Sequence, residues 1–358
     1  MKKIKKTLIA MLAVVGLFSS ILCGCAKEAV NKSETAVTAQ NQKVEQTKQS
    51  DDYKQFDDFF TPAFQLIWND FSENFIKGEV RFVGGNPEIV NNLNQKRLTD
   101  SMVSKNDLYK TIGNQTFATK KRIERELKRK FHEKSKLLDA IEWTKKADSR
   151  YVLYAMFKKD IEFSKAFKDL DAGKFNSSKE NYKYFGVTKN ADEYRKFVSP
   201  IYYKDRNDYA VKLTTKTNDE IILLTDNSNR KVFEIWDDFY KNKYAKKSNL
   251  AFDEDAELIV PQISFNKQIK YNEFLGKKIE DSNLVIETAL EDIEFSLDKT
   301  GAKIRNEAIM GVEKMSLRHE QLKKKYHFNK PFILFIKDKN ADVPYFALKI
   351  KDGKYLKK

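Results

Sequence analysis

Beyond residue 25 the sequence has no cysteine; Cys23 and Cys25 are the two it contains. No disulfide framework can brace the folded part, so its stability has to come from a large core. Histidine is nearly as scarce. His132, His319 and His327 are the three present, and none stands four residues from another, as a helical metal pair requires. No nucleophile elbow and no phosphate-cradling glycine loop occurs, and Gly84-Gly85 reads only as a turn signal. Asp57-Asp58 and Asp237-Asp238 are adjacent acids, whose side chains point apart on a strand or helix. Paired-carboxylate catalysis is therefore without support. These absences weigh against an enzyme; no catalytic residue, cofactor or metal is expected.

Positive charge and aromatic rings, by contrast, are abundant. The net charge is +15, and four of those charges belong to lysines in the first six residues. The other basic residues are scattered among 52 acids rather than clustered with stacking aromatics, so nucleic acid is not an expected partner. With 26 Phe and 16 Tyr, the chain can build the core that the missing disulfides demand.

The first residues, MKKIKKTLIAMLAVVGLFSSILCGC, read as a secretory signal: a lysine-rich start, an apolar run from Leu8 to Leu22, then small residues. That run is too short for a durable membrane span. Leu22, Cys23, Gly24 and Cys25 resemble the bacterial lipobox. The resemblance implies cleavage between Gly24 and Cys25 and a lipid on Cys25, hence an anchor on the extracytoplasmic face of a cell membrane; a monomer is expected. An ordinary signal peptide with an incidental cysteine is the alternative. Residues 25–52 are polar and read as a disordered tether. Residues 53–358 read as one domain, mainly helical over 53–149 and mainly β over 150–358.

Periodicity places the elements. FTPAFQLIWNDFSENFIKG has apolar residues at helical spacing, with Thr61 as N-cap, Pro62 at the first position and Gly78 as the stop. NPEIVNNLNQKRL reads as a shorter helix. TKKRIERELKRKF reads as a third, with Glu124 and Lys128 spaced to pair. From Arg150 the character changes. RYVLYAMFKKDIEF is a strand, and DYAVKLTTKTNDEIILLTD is two strands joined at Lys216–Asp219. KVFEIWDDFYKNKY is a helix. ELIVPQISFNKQIKY is strand-like with a bend at Pro261, and LEDIEFSLDKTGA is a strand ending at Gly301. KPFILFIKDKNADVPYFALKI closes the chain as a hairpin apolar on both faces, which requires burial on both sides. The fold class is α+β: helices first, then large, mostly antiparallel sheets.

The order of these blocks resembles the serpins. The closing hairpin is similar to the family's last two strands. ETALEDIEFSLDKTGAKIRNEA is similar to the strand that runs into the family's reactive-centre loop. VPQISFNKQIKYNEFLGKKIEDSNL, NDYAVKLTTKTNDEIILLTD and RYVLYAMFKKDIEFSKAF resemble three further blocks, so the likeness covers about residues 150–350. It implies a bait loop at about 302–325, beginning at Gly301 and Ala302. The scissile bond is expected near Met315-Ser316, fourteen residues beyond Gly301. The competing reading has Leu317, Leu322 and Tyr326 packing a surface turn there.

Two departures argue against a working trap. Where inhibitory serpins carry small residues after the hinge glycine, this chain has Ala302, Lys303, Ile304, Arg305, Asn306 and Glu307. At least one charge is expected to face the core in either register, which would slow or block insertion. The stretch from Phe131 to Arg150 is also too short for the helices the family carries there, one of which covers the sheet where the loop enters. Three readings follow: a non-inhibitory serpin-like binding or structural module; a protease inhibitor using 302–325 as bait; and an unrelated extracytoplasmic enzyme or substrate-binding lipoprotein.

Overall fold

Pro261 marks the place where the chain leaves one sheet for another, and the layout of the protein follows from such transfers. A computed structural model describes residues 54–146, 150–246, 249–306 and 324–358. The described residues pack into three sheets. Six strands form the first: β1 (Phe59–Phe60), β6 (Val198–Asp205), β7 (Asp208–Thr214), β8 (Asp219–Thr225), β14 (Phe332–Asp338) and β15 (Phe346–Ile350). Their order is β1-β15-β14-β8-β7-β6, every pair antiparallel. The second sheet holds β2 (Leu108–Asn114), β3 (Tyr151–Glu162), β10 (Ile263–Lys270), β11 (Leu290–Asp298) and β12 (Gly301–Asn306), in the order β10-β11-β12-β3-β2. The third has β4 (Lys168–Lys174), β5 (Asn181–Val187), β9 (Glu257–Pro261) and β13 (Lys325–His327), in the order β13-β9-β5-β4. β9 thus belongs to the third sheet and β10, two residues later, to the second.

The helices lie where periodicity puts them: α1 (Pro62–Phe71), α2 (Glu88–Asn94), α3 (Phe117–Phe131) and α4 (Val232–Phe239). α1 runs on as a π-turn over Ser72–Ile76, and the Gly78 amide donates to the Ser72 carbonyl to close it. In α3, Thr116 caps the helix through its hydroxyl, and Ile123, Leu127 and Phe131 form one buried face. Glu124 stands 3.8 Å from Lys120, one turn back rather than forward. The mainly helical reading of 53–149 overlooked β2, whose side chains are half-buried and show no clean alternation. β4, β5, β6 and β13 were overlooked as well.

One apolar core runs beneath all three sheets. A second, smaller cluster joins Ile123, Leu127 and Phe131 of α3 to Tyr154 and Met156 on the outer face of β3. The C-terminal hairpin sits as its pattern demands. Every residue of β14 from Phe332 to Lys337 is buried, with β15 on one side and β8 on the other. Among the described residues no helix is long and apolar enough to cross a membrane.

Candidate functional site

The most consequential placement is that of the segment after Gly301. β11 ends at Asp298, whose side chain accepts from the Thr300 amide at 2.8 Å and so shapes the turn. Gly301 then folds the chain back with φ at +151°, where a Cβ would come within 1.9 Å of the Ile161 carbonyl oxygen. Only glycine fits such an approach. The next residues form β12, threaded between β11 and β3 and antiparallel to both, with Ala302 opposite Ile161 and Asn306 opposite Phe157. Ala302 is thus part of a central strand rather than of a surface loop.

This placement corrects the expectation that charge would block insertion. Lys303, Arg305 and Glu307 all stand on odd positions, so a strand turns all of them to one side. In the register adopted, Ala302, Ile304 and Asn306 are buried, Lys303 is exposed and Arg305 lies between. Glu307 lies outside the described residues. Arg305 is held on the outer face, its guanidinium donating to Asp292 at 3.0 Å and to the Lys134 carbonyl at 3.3 Å. No charge of the described strand enters the core.

The second departure stands: between α3 and β3 the described residues form one three-residue turn, Leu137–Asp139, and no α-helix. Short as it is, the chain after α3 covers this part of the sheet. Glu133 pairs with Lys158 of β3 at 2.8 Å, the Lys134 carbonyl accepts from Arg305, and the turn Leu137–Asp139 packs on β11. These contacts lay residues 133–139 over the outer face of β3, β11 and β12.

Under β12 lies a polar cluster that the sequence did not disclose. Glu291 of β11 is fully buried. Thr61 donates its hydroxyl to Glu291 Oε1 at 2.6 Å, Asn306 donates its amide to the same oxygen at 3.0 Å, and Tyr271 donates to Oε2 at 2.6 Å. Asn306 in turn accepts the Ala63 backbone N–H at 3.1 Å. Thr61 does precede α1 with extended backbone, as an N-cap should, but its side chain serves Glu291 instead of the helix. Burial pushes the Glu291 carboxyl up to about 7 despite the pull of three donors. The signal was present in outline: Glu291, Ile293, Phe295 and Leu297 alternate, and the charged member takes a core position.

At the other end of the bait segment, β13 pairs in parallel with β9. His327 lies 2.7 Å from Glu257, and Lys325 reaches the same carboxylate at 2.9 Å. Burial holds the His327 imidazole below its usual range, opposed by Glu257. Tyr326 is fully buried against Tyr203, Tyr209 and Phe252, so it packs in the core rather than in a surface turn. Gly24, Cys25, Met315, Ser316, Leu317, His319 and Leu322 lie outside the described residues. The adjacent acids are spent on structure: Asp58 pairs with Lys351, Asp237 with Arg97 and Asp238 with Arg230. Among the described residues no group of three acids or histidines could hold a metal.

No family model matches the chain, and no curated protein does. Solved structures do. One similar structure is the latent state of tengpin, a thermophilic serpin, at 14% identity over 84% of this chain and 92% of that one, with a TM-score of 0.45. Serpin48 of the insect Tenebrio molitor is 13% identical over 65% of this chain and 64% of that one, at a TM-score of 0.38. Human thyroxine-binding globulin with bound ligand is 12% identical over 69% and 76%, also at 0.38. These are the same family whose block order the sequence resembles; what each of those proteins does belongs to it.

Proposed function

We propose that this chain is a serpin-like protein that works as a non-inhibitory binding or structural module, held at the outer face of a membrane by a lipid on Cys25. One observation carries the non-inhibitory part: β12 already occupies the middle of the five-stranded sheet in the intact chain. A trap that works by inserting its cleaved loop needs that gap open and the gain from filling it still unspent. With Ala302, Ile304 and Asn306 already buried there, cleavage further along has little left to release. Nothing in the chemical inventory asks for catalysis.

The test is to nick the fragment from residue 54 within 307–323 and compare melting before and after. The expected result is a change of a few degrees at most. A large rise, or SDS-resistant complexes with a serine or cysteine protease, would overturn the reading. For the anchor, Cys25→Ser should release the protein from membranes and abolish acyl labelling; retention of both would refute it.

The inhibitor reading has one observation in its favour. Among the described residues β12 pairs along this edge with Phe157–Glu162, the second half of β3. A longer insertion would have further strand to pair with, and the melting comparison decides between the two.

A further inference from the structure

We infer that the outer face of α3 is a docking surface for anionic lipid headgroups, which lays the domain against the membrane that holds Cys25. The inference rests on the reading of Cys25 as an anchor and adds which face of the domain meets the bilayer.

Residues 117–136 hold nine Lys and Arg against three Glu, a net charge of +6. Outside its first six residues the whole chain carries +11, so this short stretch supplies more than half. The fold gathers that charge on one side. Thr119, Ile123, Leu127 and Phe131 turn inward, which leaves Lys121, Arg122, Arg125, Lys128 and Arg129 exposed on the other side of the helix. The three glutamates are engaged. Glu124 stands 3.8 Å from Lys120, Glu126 pairs with Arg125 and Arg129, and Glu133 pairs with Lys158 of β3. Among the described residues no acid lies in ion-pair range of Lys121, Arg122 or Lys128. The Arg122 guanidinium donates to the Thr111 hydroxyl and the Ile112 carbonyl.

Helix stability gives no reason for this pattern. Basic residues in the last turn suit the helix dipole, but the first turn has no acid, and Lys120, Lys121 and Arg122 stand near the end that disfavours cations. Lys121 and Arg125 are like charges four apart, which destabilises a helix. A surface that binds anions gives both features a use.

Phe117 adds an apolar contact at the edge of the stripe. It begins the row that continues through Lys121 and Arg125. Its side chain is 47% exposed, whereas every other described phenylalanine side chain is buried or half-buried. The Phe117 amide donates to the Thr144 carbonyl, which sets the exposed Lys145 and Lys146 beside it. Cations beside an aromatic ring suit a headgroup layer, where the ring enters and the cations meet phosphate. The apolar face of α3 is spent on Tyr154 and Met156 of β3, so the helix rests on the surface instead of entering it. Residues 26–53 can span roughly 90 Å, so the anchor allows α3 to reach the bilayer.

Vesicle co-sedimentation tests this with the chain from residue 25 on carrying Cys25→Ser, which keeps every described residue and has no lipid of its own. At about 0.1 M NaCl it should bind vesicles containing phosphatidylglycerol tighter than vesicles of phosphatidylcholine alone. The expected preference is about tenfold or more, since each basic residue at an anionic surface is worth about fivefold. That preference should fade at about 0.5 M NaCl. Reversing Lys121→Glu, Arg125→Glu and Lys128→Glu together should lose about tenfold or more. The same reversal at the exposed Lys168, Lys183 and Lys189 should lose less than about threefold. Equal binding to the two vesicle types, a preference untouched by salt, or an equal loss in the two triple variants would overturn the docking and leave the anchor standing. Binding to soluble polyphosphate with none to the vesicles would overturn it as well. Phosphatidylglycerol binding alongside a Cys25 that takes no acyl label would remove the anchor and uphold the docking. The vesicle comparison needs no change in α3, so it decides the matter even where charge reversal disturbs the fold.

Discussion

β12 and β14 hold the same rank in their sheets, each an interior strand with an antiparallel partner on either side. They are held there by different means. β14 is apolar on both faces, with Trp236 against Phe335 at 4.9 Å and Phe332 packed on Phe328 at 5.2 Å. β12 offers the core a methyl group, one isoleucine and an amide, and the amide bonds Glu291 and the Ala63 backbone. A strand fastened by apolar area is insensitive to pH and leaves only when the domain unfolds. A strand fastened by little apolar area and a few directional bonds can open on its own while its neighbours stay folded.

The contrast is sharpest in truncations of β14. Phe335→Ala should cost about 3–5 kcal/mol in the urea unfolding of the whole domain, since its ring is fully buried. A cost no larger than that of Ile304→Ala would erase the distinction between the strands. Next in size is Gly301→Ala. A non-glycine residue there carries about 1–3 kcal/mol of backbone strain, and its Cβ would strike the Ile161 carbonyl. β12 should therefore lose exchange protection while β14 keeps its own. Loss in both sheets together would mean that β12 is no separate unit.

A smaller effect concerns the far anchor. Because the His327 imidazole sits below its usual 6.5, chiefly through burial, the folded state disfavours its proton. The pairing of β13 with β9 should then be complete above pH 6.5 and weaken as pH falls below it. His327→Gln should flatten this profile in exchange of Tyr326–Phe328; a slope that survives would assign it to another group. The smallest effect is Lys303→Ala, within about 0.5 kcal/mol by urea unfolding, because the side chain is exposed. A loss above 1 kcal/mol would show that the outer face of β12 contributes to its seating.

Much of this arrangement was legible because apolar pattern and burial coincide. The two-faced run from Phe332 to Ile336, the strand from Tyr151 to Glu162 and the break at Pro261 announced themselves. β4 escaped notice because its side chains are almost all exposed and carry no period. β12 is masked for a different reason: the charges after Gly301 count against a buried strand, but their shared parity turns Lys303 and Arg305 to the outer face. The Glu291 cluster joins residues from Thr61, Tyr271, Glu291 and Asn306. Only the fold brings such distant positions to one oxygen pair.

β1 pairs with β15, Phe59 opposite Leu348 and Phe60 opposite Ala347. The earliest described strand is therefore fastened to the latest, across nearly the whole length of the folded region. A chain made from its N-terminus cannot complete the six-stranded sheet until Leu348 is available, so closure of that sheet is a late event with a high loop-closure cost. Until then β8 lacks its neighbour β14 and keeps an open edge, and the growing chain has to be shielded or kept extended.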